Sequence, residues 1–135
     1  MGLHYDTIIQ SLNDCFPELT QYEECRSIIA MLDESEYLPY LYFPAFWKIL
    51  ECVLTNKITD KSLQDRIFLF MEEMAKSDDH EVVNLMQIEM LEPIFGLDYN
   101  IYRNVVFRFL LPESLKLHEA HKDYFHIPSA DMEKR

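Results

Sequence analysis

Apolar residues recur at helical spacing along nearly the whole chain, and no segment alternates between apolar and polar long enough to form a half-buried strand. Tyr5, Ile8, Ile9 and Leu12 mark a first helix that stops near Phe16-Pro17. Leu19, Tyr22, Ile28, Ile29 and Leu32 predict a second, ending at the acidic run DESE. A third is expected from Pro44, because proline is tolerated in a first helical turn, where its missing N–H has no intrahelical partner anyway. That helix turns Phe46, Trp47, Leu50, Val53 and Leu54 towards a core.

Thr59 or Asp60 can cap a fourth helix with Leu63, Ile67, Phe70, Met71 and Met74 on one face and Asp65, Glu72 and Lys76 on the other. Asp78 followed by Glu81 fits a capping box for a fifth, EVVNLMQIEMLEPIF, which is apolar around most of its circumference and is expected to be the most buried element. Pro93 cannot donate to the carbonyl of Glu89, so a kink or early stop is expected there, with Gly96 as a left-handed cap. Asp98 caps a sixth helix and Pro112 opens a seventh.

Short connections make consecutive helices pack antiparallel. The predicted fold is all-α: a single-domain bundle of six to seven helices over residues 1–126, with helices three to six as HEAT-like stacked hairpins. Residues 127–135 are expected to be a flexible tail.

The stretch EYLPYLYFPAFWKIL, residues 36–50, concentrates six aromatic rings and two prolines. Phe46 and Trp47 are expected in the core. Tyr37, Tyr40 and Tyr42 fall before the predicted helix, where Pro39 and Pro44 favour extended backbone. Tyrosine at such a place pads a core edge with its hydroxyl wet, or anchors a partner.

Composition narrows the function. Two glycines in 135 residues exclude the phosphate-cradling loops of nucleotide-binding enzymes. Three cysteines, Cys15, Cys25 and Cys52, have no CxxC spacing and are expected as reduced, buried thiols of a cytoplasmic protein. The first residues read as no signal peptide, and no apolar run is long enough to span a membrane. The net charge of −12 argues against nucleic acid as a partner. Residues 1–100 hold 19 acids and 6 bases, a net of −13, whereas residues 101–135 hold 5 acids and 6 bases, a net of +1. A surplus of this kind attracts and steers basic partners.

The acids gather in two places. Glu23, Glu24, Asp33, Glu34 and Glu36 form one group, beside Tyr37 and Tyr40, and all seven are candidate partner-binding residues. Glu72, Glu73, Asp78, Asp79 and Glu81 surround the turn between the fourth and fifth, and Glu72, Glu73 and Asp79 are expected outward and available to a partner. The second group lacks the alternating ligands and glycine of a calcium loop. HEAH, with His118 and His121, lacks the i,i+4 spacing and glutamate base of a zinc helix, so neither metal nor cofactor is expected. Glu89 and Glu92 are i,i+3 neighbours, expected to pair with Arg103 or Arg108 on the next helix or to surface at its edge. A proton-sharing carboxylate pair is the catalytic alternative. No nucleophile motif occurs, so no enzymatic activity is expected.

From about residue 35 to 125, the segments YLPYLYFPAFWKIL, IFLFMEEMAKSDDHEVVNLMQIEMLEPI and FLLPESLKLHEA resemble a family of small, uncharacterised all-α bacterial domains. In character the chain is also similar to immunity proteins of polymorphic toxin systems, including contact-dependent growth inhibition. That likeness implies an acidic single domain, monomeric or weakly dimeric, that binds a basic toxin domain such as a nuclease and covers its active site. A helical adaptor or regulatory subunit unrelated to toxins is the alternative.

Overall fold

The computed structural model describes residues 2–33 and 36–125. The expected tail at 127–135 lies outside them. Among the described residues every regular element is helical. The α-helices are α1 (Ile8–Cys15), α2 (Glu23–Ala30), α3 (Pro39–Leu54), α4 (Lys61–Ala75), α5 (His80–Met86), α6 (Tyr99–Asn104) and α7 (Pro112–Phe125). The all-α single-domain bundle stands as expected.

α3 is the centre of the core. Phe43, Phe46, Ile49 and Leu50 are fully buried on it, and the rings of Phe16, Phe46 and Phe70 meet at centroid distances of 5.0, 5.6 and 5.6 Å. Burying each such side chain stabilises the fold by about 1.5–3 kcal/mol. That gain explains why α3 begins five residues earlier than the sequence predicts. Pro39, not Pro44, takes the first turn, and Pro44 sits inside the helix. One backbone bond, to the carbonyl of Tyr40, is lost, and the buried apolar face outweighs it. Tyr40 and Tyr42 are therefore helical, and only Tyr37 precedes the helix. Trp47 lies beside the buried stripe and is partly exposed. α3 ends in a Schellman turn: Asn56 adopts φ 64°, its N–H reaches the carbonyl of Val53, and Lys57 N–H reaches that of Cys52.

Asp60 caps α4 by accepting from Leu63 N–H at 3.1 Å, and Asp98 caps α6 by accepting from Asn100 N–H at 3.1 Å. The cap of α5 is Asp79 rather than Asp78: it accepts from Glu81 N–H at 3.0 Å and from Tyr5 N–H at 2.8 Å. Those bonds hold its carboxyl below the usual range, the Tyr5 amide most of all.

The expected long fifth helix is three pieces. α5 passes into a π-helical turn at Gln87–Leu91 and then a 3-10 turn at Glu92–Gly96. Pro93 stands in the first turn of that 3-10 segment, which needs no N–H from it. Gly96 is not left-handed; among the described residues positive φ occurs at Asn56. α6 likewise runs into a π turn at Val105–Phe109.

α3 packs on α2 and on the 87–91 π turn, while α4 packs on both α5 and α7. The α4–α7 pairing joins elements far apart in the chain, so the packing departs from hairpins stacked in order. Glu72 makes that joint. Expected outward, it is buried, and its carboxylate accepts from Glu113 N–H (2.9 Å), Ser114 N–H (2.9 Å) and Ser114 Oγ (3.0 Å). The two N–H groups are orphan donors of α7's first turn, where the helix dipole also favours an anion.

Cys25 and Cys52 are buried, but Cys15 is exposed, contrary to expectation. Burial pushes the Cys25 thiol up to about 12, so it remains protonated and inert.

Candidate functional site

α2 ends with its last turn closed by Met31 and Leu32 N–H groups on the carbonyls of Ile28 and Ile29. Further on, Glu36 N–H meets the carbonyl of Asp33 at 3.1 Å, and the connection enters α3 at Pro39. Between this connection and α1 lies a cleft of about 280 Å³. Its floor is aliphatic: Ile9 from α1, Ile29 from α2, then Leu32 and Leu38. Asp33, Glu36, Tyr37 and Tyr42 complete the lining. The charged side chains named in that lining, Asp33 and Glu36, are both acids.

The tyrosines are fixed from behind. Tyr42 donates its hydroxyl to Asn13 Oδ1 at 2.6 Å. Tyr37 donates to the carbonyl of Tyr5 and accepts a long 3.5 Å bond from Ile9 N–H, and its ring meets Tyr5 edge-on at 5.9 Å. Burial raises the phenol pKa of both, so both stay neutral. Tyr37 nonetheless leaves 46% of its surface exposed, which makes it a rigid, half-open ring at the cleft. Tyr40 points elsewhere: its hydroxyl accepts from Asn84 Nδ2 at 2.9 Å, towards α5.

The structure therefore brings three of the expected partner-binding residues, Asp33, Glu36 and Tyr37, onto one cavity. Glu23 and Glu24 are exposed on α2, Glu23 bonded to Arg26 at 3.1 Å, and neither lines the cleft. Glu34 lies outside the described residues. The second acidic group is dispersed by its structural duties. Glu72 is the buried cap of α7 and Asp79 the cap of α5, whereas Glu73 and Asp78 are exposed. The helical spacing misled for Glu72 because α4 buries two faces. Phe68, one turn before it, is also buried, and its ring lies tilted against that of Phe109 at 5.5 Å. The i,i+4 pair Phe68–Glu72 was the available signal.

A further polar cluster escaped the sequence reading. His118, one of the two histidines of HEAH on α7, is 1% exposed. Its Nε2 meets the Tyr102 hydroxyl at 2.9 Å, its Nδ1 meets Glu119 at 2.8 Å, and the Phe95 ring stacks on it at 5.1 Å. Burial lowers its pKa, partly opposed by the Glu119 hydrogen bond, which keeps the imidazole neutral near pH 7. Beside it Glu92 meets His121 at 3.2 Å, not Arg103 or Arg108. Glu89 is half-buried, and burial, then Glu92, raises its pKa. Arg103 instead lies over the rings of Tyr99 and Phe107 at 5.7 and 5.9 Å. Among the described residues no group of three or more His, Cys, Asp and Glu has metal-binding geometry, and no helix is long and apolar enough to cross a membrane.

Residues 9–126 match the model of one protein family, described as a domain of unknown function (DUF7674). No curated protein and no solved structure matches the chain.

Proposed function

The chain belongs to the DUF7674 family, and from that premise we propose that it is a protein-binding module of the immunity type. In this reading it binds a basic toxin domain, such as a nuclease, and neutralises it by covering its active site. The observation that carries the reading is the cleft at residues 29–42, where Asp33, Glu36 and the half-exposed Tyr37 stand over an aliphatic floor. Carboxylates beside a rigid aromatic ring supply charge complementarity and an anchor in the same place. The surplus of 12 negative charges over the whole chain adds long-range attraction for a cationic partner. A nuclease suits that surface, because a protein that grips phosphates presents lysine and arginine around its active site.

The test is protection of growing cells. The C-terminal domain encoded by the neighbouring upstream reading frame is expressed alone and together with this chain. Expression alone should arrest growth and co-expression should restore it, whereas Asp33→Lys with Glu36→Lys should abolish rescue while the protein stays folded by circular dichroism. Rescue undiminished in that double variant would remove the cleft from the interface. A neighbouring domain that is harmless alone would leave the chain a binding module without a toxin, the adaptor reading.

A further inference from the structure

We propose that a second cleft, between α6 with its π turn and α7, is a binding site for a small monocarboxylate with an apolar body. It shares no lining residue with the acidic cleft and does not rest on the binding reading above. The cavity, about 270 Å³, falls just below the roughly 300–1,000 Å³ of sites that enclose a drug-sized ligand, so it suits a smaller molecule. Val106 and Phe107 line it from the π turn and Leu115 from α7. Such turns recur at functional sites, where they interrupt the regular helical register. Phe107 is 76% exposed, an apolar ring at the cleft that a ligand would take out of water.

Charge selects the ligand's head. The charged side chains named in the lining are Arg103, Lys122 and Glu119. Glu119 is engaged with His118 Nδ1 at 2.8 Å, and the Nε2 of that imidazole, neutral near pH 7, meets the Tyr102 hydroxyl at 2.9 Å. Those three form a bonded wall, and the two cations leave the lining one positive charge in excess, within a chain whose total is −12. Among the described residues, the ion pairs of lysine and arginine engage Arg26, Lys48, Arg66, Lys76 and Lys116, and not Arg103 or Lys122. Arg103 lies over the rings of Tyr99 and Phe107, which position its guanidinium without giving it an oxygen acceptor. A carboxylate supplies that acceptor, because its two oxygens match the planar fork of Arg103 while Lys122 donates as a point charge. A single negative charge balances the excess, whereas a dianionic phosphate would set its second charge against Glu119.

The experiment uses the full chain with valine and leucine methyl groups isotopically labelled, titrated separately with phenylacetate, benzyl alcohol, benzylamine and inorganic phosphate. Phenylacetate is expected to shift the Val106 and Leu115 methyls saturably. Benzyl alcohol, which keeps the ring and lacks the charge, should bind about tenfold more weakly, and benzylamine and phosphate should leave those methyls unmoved. Arg103→Gln should weaken phenylacetate about tenfold and leave benzyl alcohol unchanged, a split that general damage to the fold would not produce. Lys122→Gln should act in the same direction. Cleft methyls unmoved by phenylacetate overturn the site. Benzyl alcohol or benzylamine binding as tightly as phenylacetate overturns the carboxylate, and so does equal phenylacetate affinity in wild type and Arg103→Gln. Phosphate binding there as tightly as phenylacetate overturns the apolar body. The wild-type series of four probes decides even if Arg103→Gln does not fold.

Discussion

A carboxylate on α4 closes the first turn of α7, and that residue shows how far helical spacing can be trusted. Glu72 satisfies three donors of Glu113 and Ser114 from a buried position. Its neighbour Glu73 is exposed and meets Lys76 at 3.5 Å. Removing a buried acceptor leaves its donors unpaired, and hydrogen bonds to a charged group are worth about 1.5–3 kcal/mol. Glu72→Ala should therefore lower the free energy of unfolding by roughly 2–3 kcal/mol, read from the urea midpoint. Glu73→Ala should change it by less than about 0.5 kcal/mol, as exposed i,i+3 pairs contribute little. Equal effects would refute the capping role. The capping acids Asp60 and Asp98 were legible because a cap acts on its own helix, two or three residues away. Glu72 was not, since its partners lie more than forty positions on and only packing brings them together.

At the level of elements, the apolar stripes located the helices and their termini misled. Phe46, Leu63, Ile67 and Met71 are buried as the periodicity requires. Pro44 reads locally as a boundary, yet it lies inside α3, because the aromatic face around it gains more from burial than the helix loses in one hydrogen bond. The run EVVNLMQIEMLEPIF reads as one helix, yet its register shifts through a π turn and then tightens to 3-10, and no pattern in fifteen mostly apolar residues marks where. On α7, His118 meets Tyr102, Glu119 and the Phe95 ring, with Lys122 and His121 near enough to disfavour its charge. Its folded pKa is lowered, so below about pH 6.5, where a free imidazole titrates, the unfolded chain binds a proton that the folded chain resists. The stabilisation is complete above that pH and is lost as pH falls towards the folded value. Urea midpoints should consequently drop between pH 7.5 and 5.5, and His118→Gln, without a titrating ring, should flatten that dependence. An unaltered slope in the variant would show that other groups govern it.

Across the whole molecule, the proposed binding function would divide its work between charge and shape. The acids are spread widely, and several that the sequence offered to a partner are engaged within the fold, Glu72 and Asp79 among them. Their charge still contributes to the long-range field, although their oxygens are committed to backbone donors. The legible part of the site was therefore its sign. Its place was not, because the cleft needs Ile9 from one helix, Ile29 from another and Glu36 from a turn. Steering by the field and anchoring in the cleft respond differently to salt. The Debye length falls from about 10 Å at 0.1 M to about 3 Å at 1 M, so the field no longer reaches an approaching partner at high salt. In the proposed binding mode a partner group at the cleft would be held at contact distance and partly dry, where screening is weaker. Stopped-flow association with a basic partner domain should slow by about tenfold or more over that range, while dissociation changes several-fold less. In Ile29→Phe, which fills the cleft without changing charge, the pattern should invert: association is unchanged at each salt concentration, and dissociation is faster throughout. An association rate indifferent to salt in the wild-type chain would remove steering, and a dissociation rate rising with salt as steeply as association falls would remove the anchor.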